Sequence, residues 1–172
     1  MRLILSDIDL KQDAIQQKDT NFIDLSSLQI KNCMGCFGCW TKTPGKCVIR
    51  DDAVKVYPLI AACEQLVYIT HVVYGGYDAI MKRMLERTIP IQQAFLRVLD
   101  GETHHVQRKV ALKDALIIAY GADSSQERAV FEKLIARNAK NMNFKQYRIR
   151  FCEEAALEET LRKELDAWNN RS

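Results

Sequence analysis

Four of the chain's six cysteines fall within fifteen positions: Cys33, Cys36, Cys39 and Cys47, in the pattern C-x2-C-x2-C-x7-C. Two overlapping C-x2-C steps place three thiols on one tight turn, and Gly35 and Gly38 between them let the backbone fold inward. A fourth thiol on a returning loop completes a set of four. Iron–sulfur clusters take such cysteine-only donors from a compact loop. Zinc accepts the same donors, but its usual sites pair two separated C-x2-C knuckles. Packed, metal-free thiols are the third reading, and the spacing leaves all three open. Cys63 falls on a helical face and Cys152 at a strand end, where small thiols serve packing.

The surroundings of these thiols follow from the bulk of the sequence. The apolar run at Leu3-Ile4-Leu5 is too short for a secretory signal and is followed at once by Asp7. The most apolar stretch, Pro58 to Tyr77, is broken by Glu64, Gln65 and His71, so no membrane span is expected. The expected location is the reducing cytoplasm, where structural disulfides are rare. A net charge of +3 over 172 residues, with Lys and Arg spread among acids, gives no basic face, so no nucleic-acid partner is expected. No G-x-S-x-G, Walker loop or G-x-G-x-x-G occurs, which leaves hydrolase, NTPase and dinucleotide-fingerprint readings without support.

The elements that must position the thiols read as alternating strands and helices. Apolar or β-branched runs predict strands near residues 3–7, 21–25, 66–72, 114–120 and 147–152. Asp51-Asp52 suits the positive end of a helix carrying Val56, Leu59, Ile60 and Cys63. Asp78 caps a second helix, Ser124 or Ser125 a third, and Glu153 to Trp168 forms a fourth. Asp100 to Lys109 is polar, with a turn at Gly101. Such alternation implies one flavodoxin-like domain over residues 1–172: three α/β/α layers around a five-stranded parallel sheet, with a binding crevice beyond the strands' carboxyl ends.

The block Cys33 to Trp40, followed by Thr43 to Ile49 and Asp51-Asp52, resembles the signature of NAD(P)H-dependent FMN reductase-like flavoproteins. Iron–sulfur flavoproteins share its compact cysteine arrangement. Tyr74-Gly75-Gly76-Tyr77, with Met81-Lys82-Arg83 and Glu86-Arg87 after it, resembles the loop and helix that run beside the flavin ring in that family. The likeness covers about residues 28 to 122. It implies a flavoprotein oxidoreductase using FMN and NAD(P)H, passing reducing equivalents to a small acceptor or an iron–sulfur centre, and forming homo-oligomers. On this likeness Ser6, Tyr74, Gly75, Gly76, Tyr77 and Gly121 would face the flavin, and Cys33, Cys36, Cys39 and Cys47 would hold a 4Fe–4S cluster. Phe37, Trp40 and the 89–106 segment would supply contact area between copies.

One stretch departs from the family pattern. Flavodoxin-like proteins close a loop rich in Gly, Ser, Thr and Asn around the FMN phosphate directly after the first strand. Here that stretch is Ser6-Asp7-Ile8-Asp9-Leu10-Lys11, which contains no glycine and two acids. Ile8 to Thr20 leaves thirteen residues for the first crossover, enough for two helical turns with Leu10, Ala14 and Ile15 facing the sheet. FMN binding is therefore expected to be weak or absent, unless Lys11, Lys18 or a partner subunit reaches the phosphate. A second reading follows: a flavodoxin-fold protein that has lost FMN and serves as a binding or assembly partner. His71 reads as a core or loop residue, and His104 and His105 as surface or subunit-contact residues.

Overall fold

The computed structural model describes residues 1–11, 15 and 19–170. In chain order its elements are β1 (Arg2–Ser6), β2 (Thr20–Asp24), α1 (Gly38–Thr41), α2 (Ala53–Ala62), β3 (Gln65–Val73), β4 (Gly76–Tyr77), α3 (Ala79–Glu86), β5 (Gln92–Leu99), β6 (Glu102–Gln107), β7 (Lys113–Tyr120), α4 (Ser125–Asn141), β8 (Phe144–Cys152) and α5 (Leu157–Asn169). Five strands form a parallel sheet in the order β2-β1-β3-β7-β8. All five are those expected from the sequence. The largest difference is at β8, which begins at Phe144 rather than 147.

The sheet is central because its strands are apolar on both faces. Leu66, Tyr68, Ala115 and Ile117 face a core shared with α2, α3 and α4. Their neighbours Val67, Ile69, Leu116 and Ile118 face the opposite core, against Leu10, Ile15 and α5. Strand alternation thus feeds two layers, and the helices match it. In α5, Leu157, Leu161, Leu165 and Trp168 recur on one face and are buried. Each such burial contributes roughly 1.5–3 kcal/mol. Leu10 and Ile15 pack as expected for the short crossover, whereas Ala14 lies outside the described residues.

The helix starts are fixed by side chains. Asp78 accepts the Ile80 N–H at 2.7 Å, opening α3. Ser124 accepts the Glu127 N–H at 3.1 Å while Glu127 reaches back to the Ser124 N–H, a capping box that opens α4.

Two features were not expected from the sequence. Tyr74 and Gly75 form a two-residue turn, both at positive φ, that folds β4 back antiparallel onto the end of β3. The segment read as a polar stretch with a turn is half of a second hairpin: β5 and β6 pair antiparallel around Asp100-Gly101. No helix among the described residues is long and apolar enough to cross a membrane.

Candidate functional site

The cysteine loop spans the gap between β2 and α2, and a buried ion pair ties down both of its ends. Arg87, one residue beyond α3, is 1% exposed. Its guanidinium meets both carboxylate oxygens of Asp51, at 2.6 and 2.9 Å. It also donates to the Lys31 carbonyl at 2.7 Å and to the Cys47 sulfur at 3.4 Å. Asp51 in turn accepts the N–H groups of Lys31 at 2.8 Å and Ala53 at 3.2 Å. Burial alone would raise the Asp51 carboxyl, but the hydrogen bonds and charge of Arg87 hold it below the usual carboxylate range. Asp51 therefore acts as a clamp between the loop, α2 and α3, a role beyond the favourable charge at a helix start that the sequence suggested.

Between these ties, Cys33, Cys36, Cys39 and Cys47 all line one cavity, with Arg87 and Pro90 on its far wall. Cys36 is exposed, Cys33 and Cys47 are half-buried, and Cys39 is buried. Burial raises the Cys39 thiol, and the neighbouring thiols of Cys47, Cys33 and Cys36 add to the effect. Among the described residues, no three His, Cys, Asp or Glu side chains stand close enough to hold a single metal ion. The cavity has about 20 Å³, room for about one water. The donor set suits a cluster, but the loop must part to admit one. Met34, Cys36 and Phe37 form its exposed side.

Trp40 anchors the loop rather than extending from it. Its indole N–H donates to the Ile89 carbonyl at 3.1 Å, and its ring lies between Phe37 at 5.3 Å and His105 at 4.6 Å. The loop is thereby fastened to the β5–β6 hairpin. His104, read from the sequence as a surface or contact residue, is instead buried on β6, facing Asn141 of α4 at 2.9 Å and Glu102 at 3.0 Å.

The residues read as flavin-facing divide into two groups. Tyr74 is 92% exposed at the turn tip. Tyr74, Gly75, Gly76 and the edge of Tyr77 border a groove of about 540 Å³ that also touches Lys82 and Val130. Tyr77, in contrast, turns its ring into the core, edge-on to Phe131 at 5.3 Å, and its hydroxyl accepts from Asn138 at 3.1 Å. Gly121 follows β7, on the far side of β3, whereas Ser6 ends β1 beside the cleft where the strand order reverses, between β1 and β3, the place where open α/β sheets bind ligands. There Ser6 donates to the Ile8 carbonyl at 2.6 Å. Asp7 accepts the His71 N–H at 2.7 Å and the Tyr120 hydroxyl at 2.9 Å. The His71 ring lies 5.1 Å from that of Tyr120 and rests against Gly121.

Among the described residues at this edge, the buried Asp7 carboxylate takes up the His71 N–H and the Tyr120 hydroxyl. Sequence reasoning marked Asp7 as repulsive but missed its partners, which come from two strands distant in the chain. Lys11 stands 3.7 Å from Glu158, and Lys18 lies outside the described residues.

No protein-family model matches the sequence. An iron–sulfur flavoprotein of Methanocaldococcus jannaschii is 30% identical over 77 residues, which are 45% of this chain and 39% of that protein. The match thus spans well under half of the relative. An FMN-dependent NADH-azoreductase from Bacillus anthracis, solved with FMN, superposes with a TM-score of 0.63 at 10% identity, covering 99% of this chain and 97% of that one. An NAD(P)H:quinone oxidoreductase from Methanothermobacter marburgensis gives a TM-score of 0.56 at 9% identity, covering 95% and 93%. These solved structures share the flavodoxin-like fold of this chain, and over 77 residues its sequence is similar to an iron–sulfur flavoprotein, in keeping with the resemblance read from the sequence.

Proposed function

We propose that this chain is an oxidoreductase of the flavin-reductase and iron–sulfur-flavoprotein type, working with NAD(P)H and a small electron acceptor, and that the cysteine loop is its redox centre. The observation that carries this reading is the gathering of all four loop thiols around one cavity, with both ends of the loop tied by a buried ion pair. Cys33, Cys36, Cys39 and Cys47 would hold the cluster, which supplies one-electron transfer when bound. The chain's own part is to keep the four sulfurs on one side of α3, and Arg87 donates a hydrogen bond to one of them. Hydrogen bonds to cluster sulfurs are among the features that set reduction potential.

At the switch-point cleft the described donors go to Asp7, which argues against a cradle for the FMN phosphate there. Of the residues read as ring-side, Tyr74 is the one fully open to solvent, while Gly75 and Tyr77 are buried. Stacking on one aromatic contributes roughly 0.5–1.5 kcal/mol, which supports exchange rather than tight retention.

Anaerobic purification tests the redox reading. The expected result is brown protein with about four irons per chain. Colourless, iron-free protein after anaerobic reconstitution with iron and sulfide would overturn it. Association between copies belongs to the same reading: Phe95, Leu96 and Val98 of the β5–β6 hairpin are exposed, as is Phe37 beside it. Sedimentation that finds only monomer at high concentration would remove that part.

A further inference from the structure

We infer that Asp7 is a specificity-determining residue, which closes the cleft between β1 and β3 to phosphate and so denies this chain the means to prefer FMN over the phosphate-free flavin. The inference goes beyond the redox reading and stands independently of the cysteine loop.

The cleft is the fold's usual ligand position, and an anion there needs N–H and O–H donors aimed outward. Among the described residues they are aimed at the protein itself. The His71 N–H and the Tyr120 hydroxyl both go to Asp7, at 2.7 and 2.9 Å. The Asp7 N–H goes to the Ile69 carbonyl at 3.1 Å, and the Ser6 hydroxyl to the Ile8 carbonyl at 2.6 Å. Asp7 itself is 6% exposed and Ser6 is fully buried, so neither can turn outward without opening the turn after β1.

Charge acts in the same direction. Asp78 and Glu154 are the further charged groups that bear on Asp7 or Tyr120, and both are acids. Lys11, the first cation after β1, is on the surface beside Glu158. A phosphate entering here would meet a buried carboxylate, with its donors already used. Like charges a few ångströms apart disfavour binding by well over tenfold, even at the effective dielectric of a protein surface. The His71 ring fills the space above Gly121, at the neighbouring end of β7.

The test is a parallel fluorescence titration of the intact chain with FMN and with riboflavin. The two flavins share the ring and the ribityl chain and differ in the phosphate. The expected result is that riboflavin binds at least as tightly as FMN, or that neither saturates. A preference for FMN of about threefold or more would overturn the inference. Asp7→Asn keeps the shape and removes the charge. In that variant, with its circular dichroism unchanged, the ratio of FMN to riboflavin affinity should move about tenfold toward FMN. An unmoved ratio, or binding of neither flavin, would overturn the role of Asp7. Because the readout is a ratio of two flavins, it does not depend on iron content, so its failure and that of the redox reading are distinguishable.

Discussion

The imidazole of His71, at the end of β3, lies where a side chain on Gly121 would have to be: a Cβ built there would sit 2.1 Å from the His71 Nε2. Gly121 also has φ +73°, a conformation that costs an L-residue roughly 1–2 kcal/mol. Gly121→Ala should therefore destabilise by about 2–4 kcal/mol in urea unfolding, from strain and from displacement of the ring. His71→Ala in the same background should recover the steric part and leave about 1–2 kcal/mol. Strictly additive costs in the double-mutant cycle would show that the ring and the glycine are not in contact.

The buried pair of Asp51 and Arg87 makes a second expectation. Removing one partner of such a pair leaves a buried charge and costs about 3–5 kcal/mol. Arg87→Met should fall in that range and should also free Lys31 and Cys47, loosening the loop at both ends. The pH dependence has a definite sign. The carboxyl of Asp51 is held below its usual range when folded, so its contribution is fully present above the unfolded value and is lost as pH falls through the folded one. Wild type should therefore lose stability over acid pH more steeply than Asp51→Asn. Parallel acid-unfolding curves for the two proteins would refute the assignment.

The sheet was legible in the sequence because each central strand is an unbroken apolar run, and such runs admit few other placements. The cysteine loop was legible as a cluster of thiols, and its closure was not. The residues that close it, Asp51 and Arg87, are separated by 36 positions and carry no local motif. The same holds at the switch-point cleft, where Asp7 meets Tyr120 across 113 positions. Asp100-Gly101 did carry a local signal, since an Asp-Gly pair between alternating residues marks a two-residue hairpin. The polar composition of Glu102 to Gln107 obscured it. Tyr77 looked like a flavin-side residue from its neighbours in sequence, yet the turn at Tyr74-Gly75 sends its ring inward.

That turn is itself testable. Gly75 has φ +75°, and a Cβ there would stand 2.7 Å from the Val130 side chain on α4. Gly75→Ala should cost about 2–3 kcal/mol, and Val130→Ala should relieve part of that cost when the two are combined. A single substitution that leaves stability unchanged would mean that β4 does not pack on α4.

Asp7 should reveal its burial through pH. Burial raises its carboxyl, and the hydrogen bonds from His71 and Tyr120 offset only part of the effect. An acid raised on folding contributes stability that is fully present below its unfolded value and is lost as pH rises through the folded one. Asp7→Asn can keep both hydrogen bonds, because the Tyr120 hydroxyl can turn to accept. The variant should melt higher than wild type at pH 7, with the gap closing as pH falls from the raised folded value to the usual carboxylate range. A variant that melts lower throughout would show that the charge of Asp7 favours the fold.

The six cysteines should separate by reactivity before any metal is added. Cys36 is exposed and should alkylate first with iodoacetamide. Cys63 is fully buried, and its thiol is pushed up to about 11 by that burial, so at pH 7.5 almost none of it is the reactive thiolate. It should remain unlabelled until the chain unfolds. Cys152 is half-buried and lies at the end of β8, away from the loop, and serves as the internal control. Reconstitution with iron and sulfide should then protect Cys33, Cys36, Cys39 and Cys47 together while the labelling of Cys152 is unchanged. Mass spectrometry of the labelled peptides reads each site separately. Protection of only one or two loop cysteines would exclude a four-thiolate cluster, because its ligands are bound or released as a set.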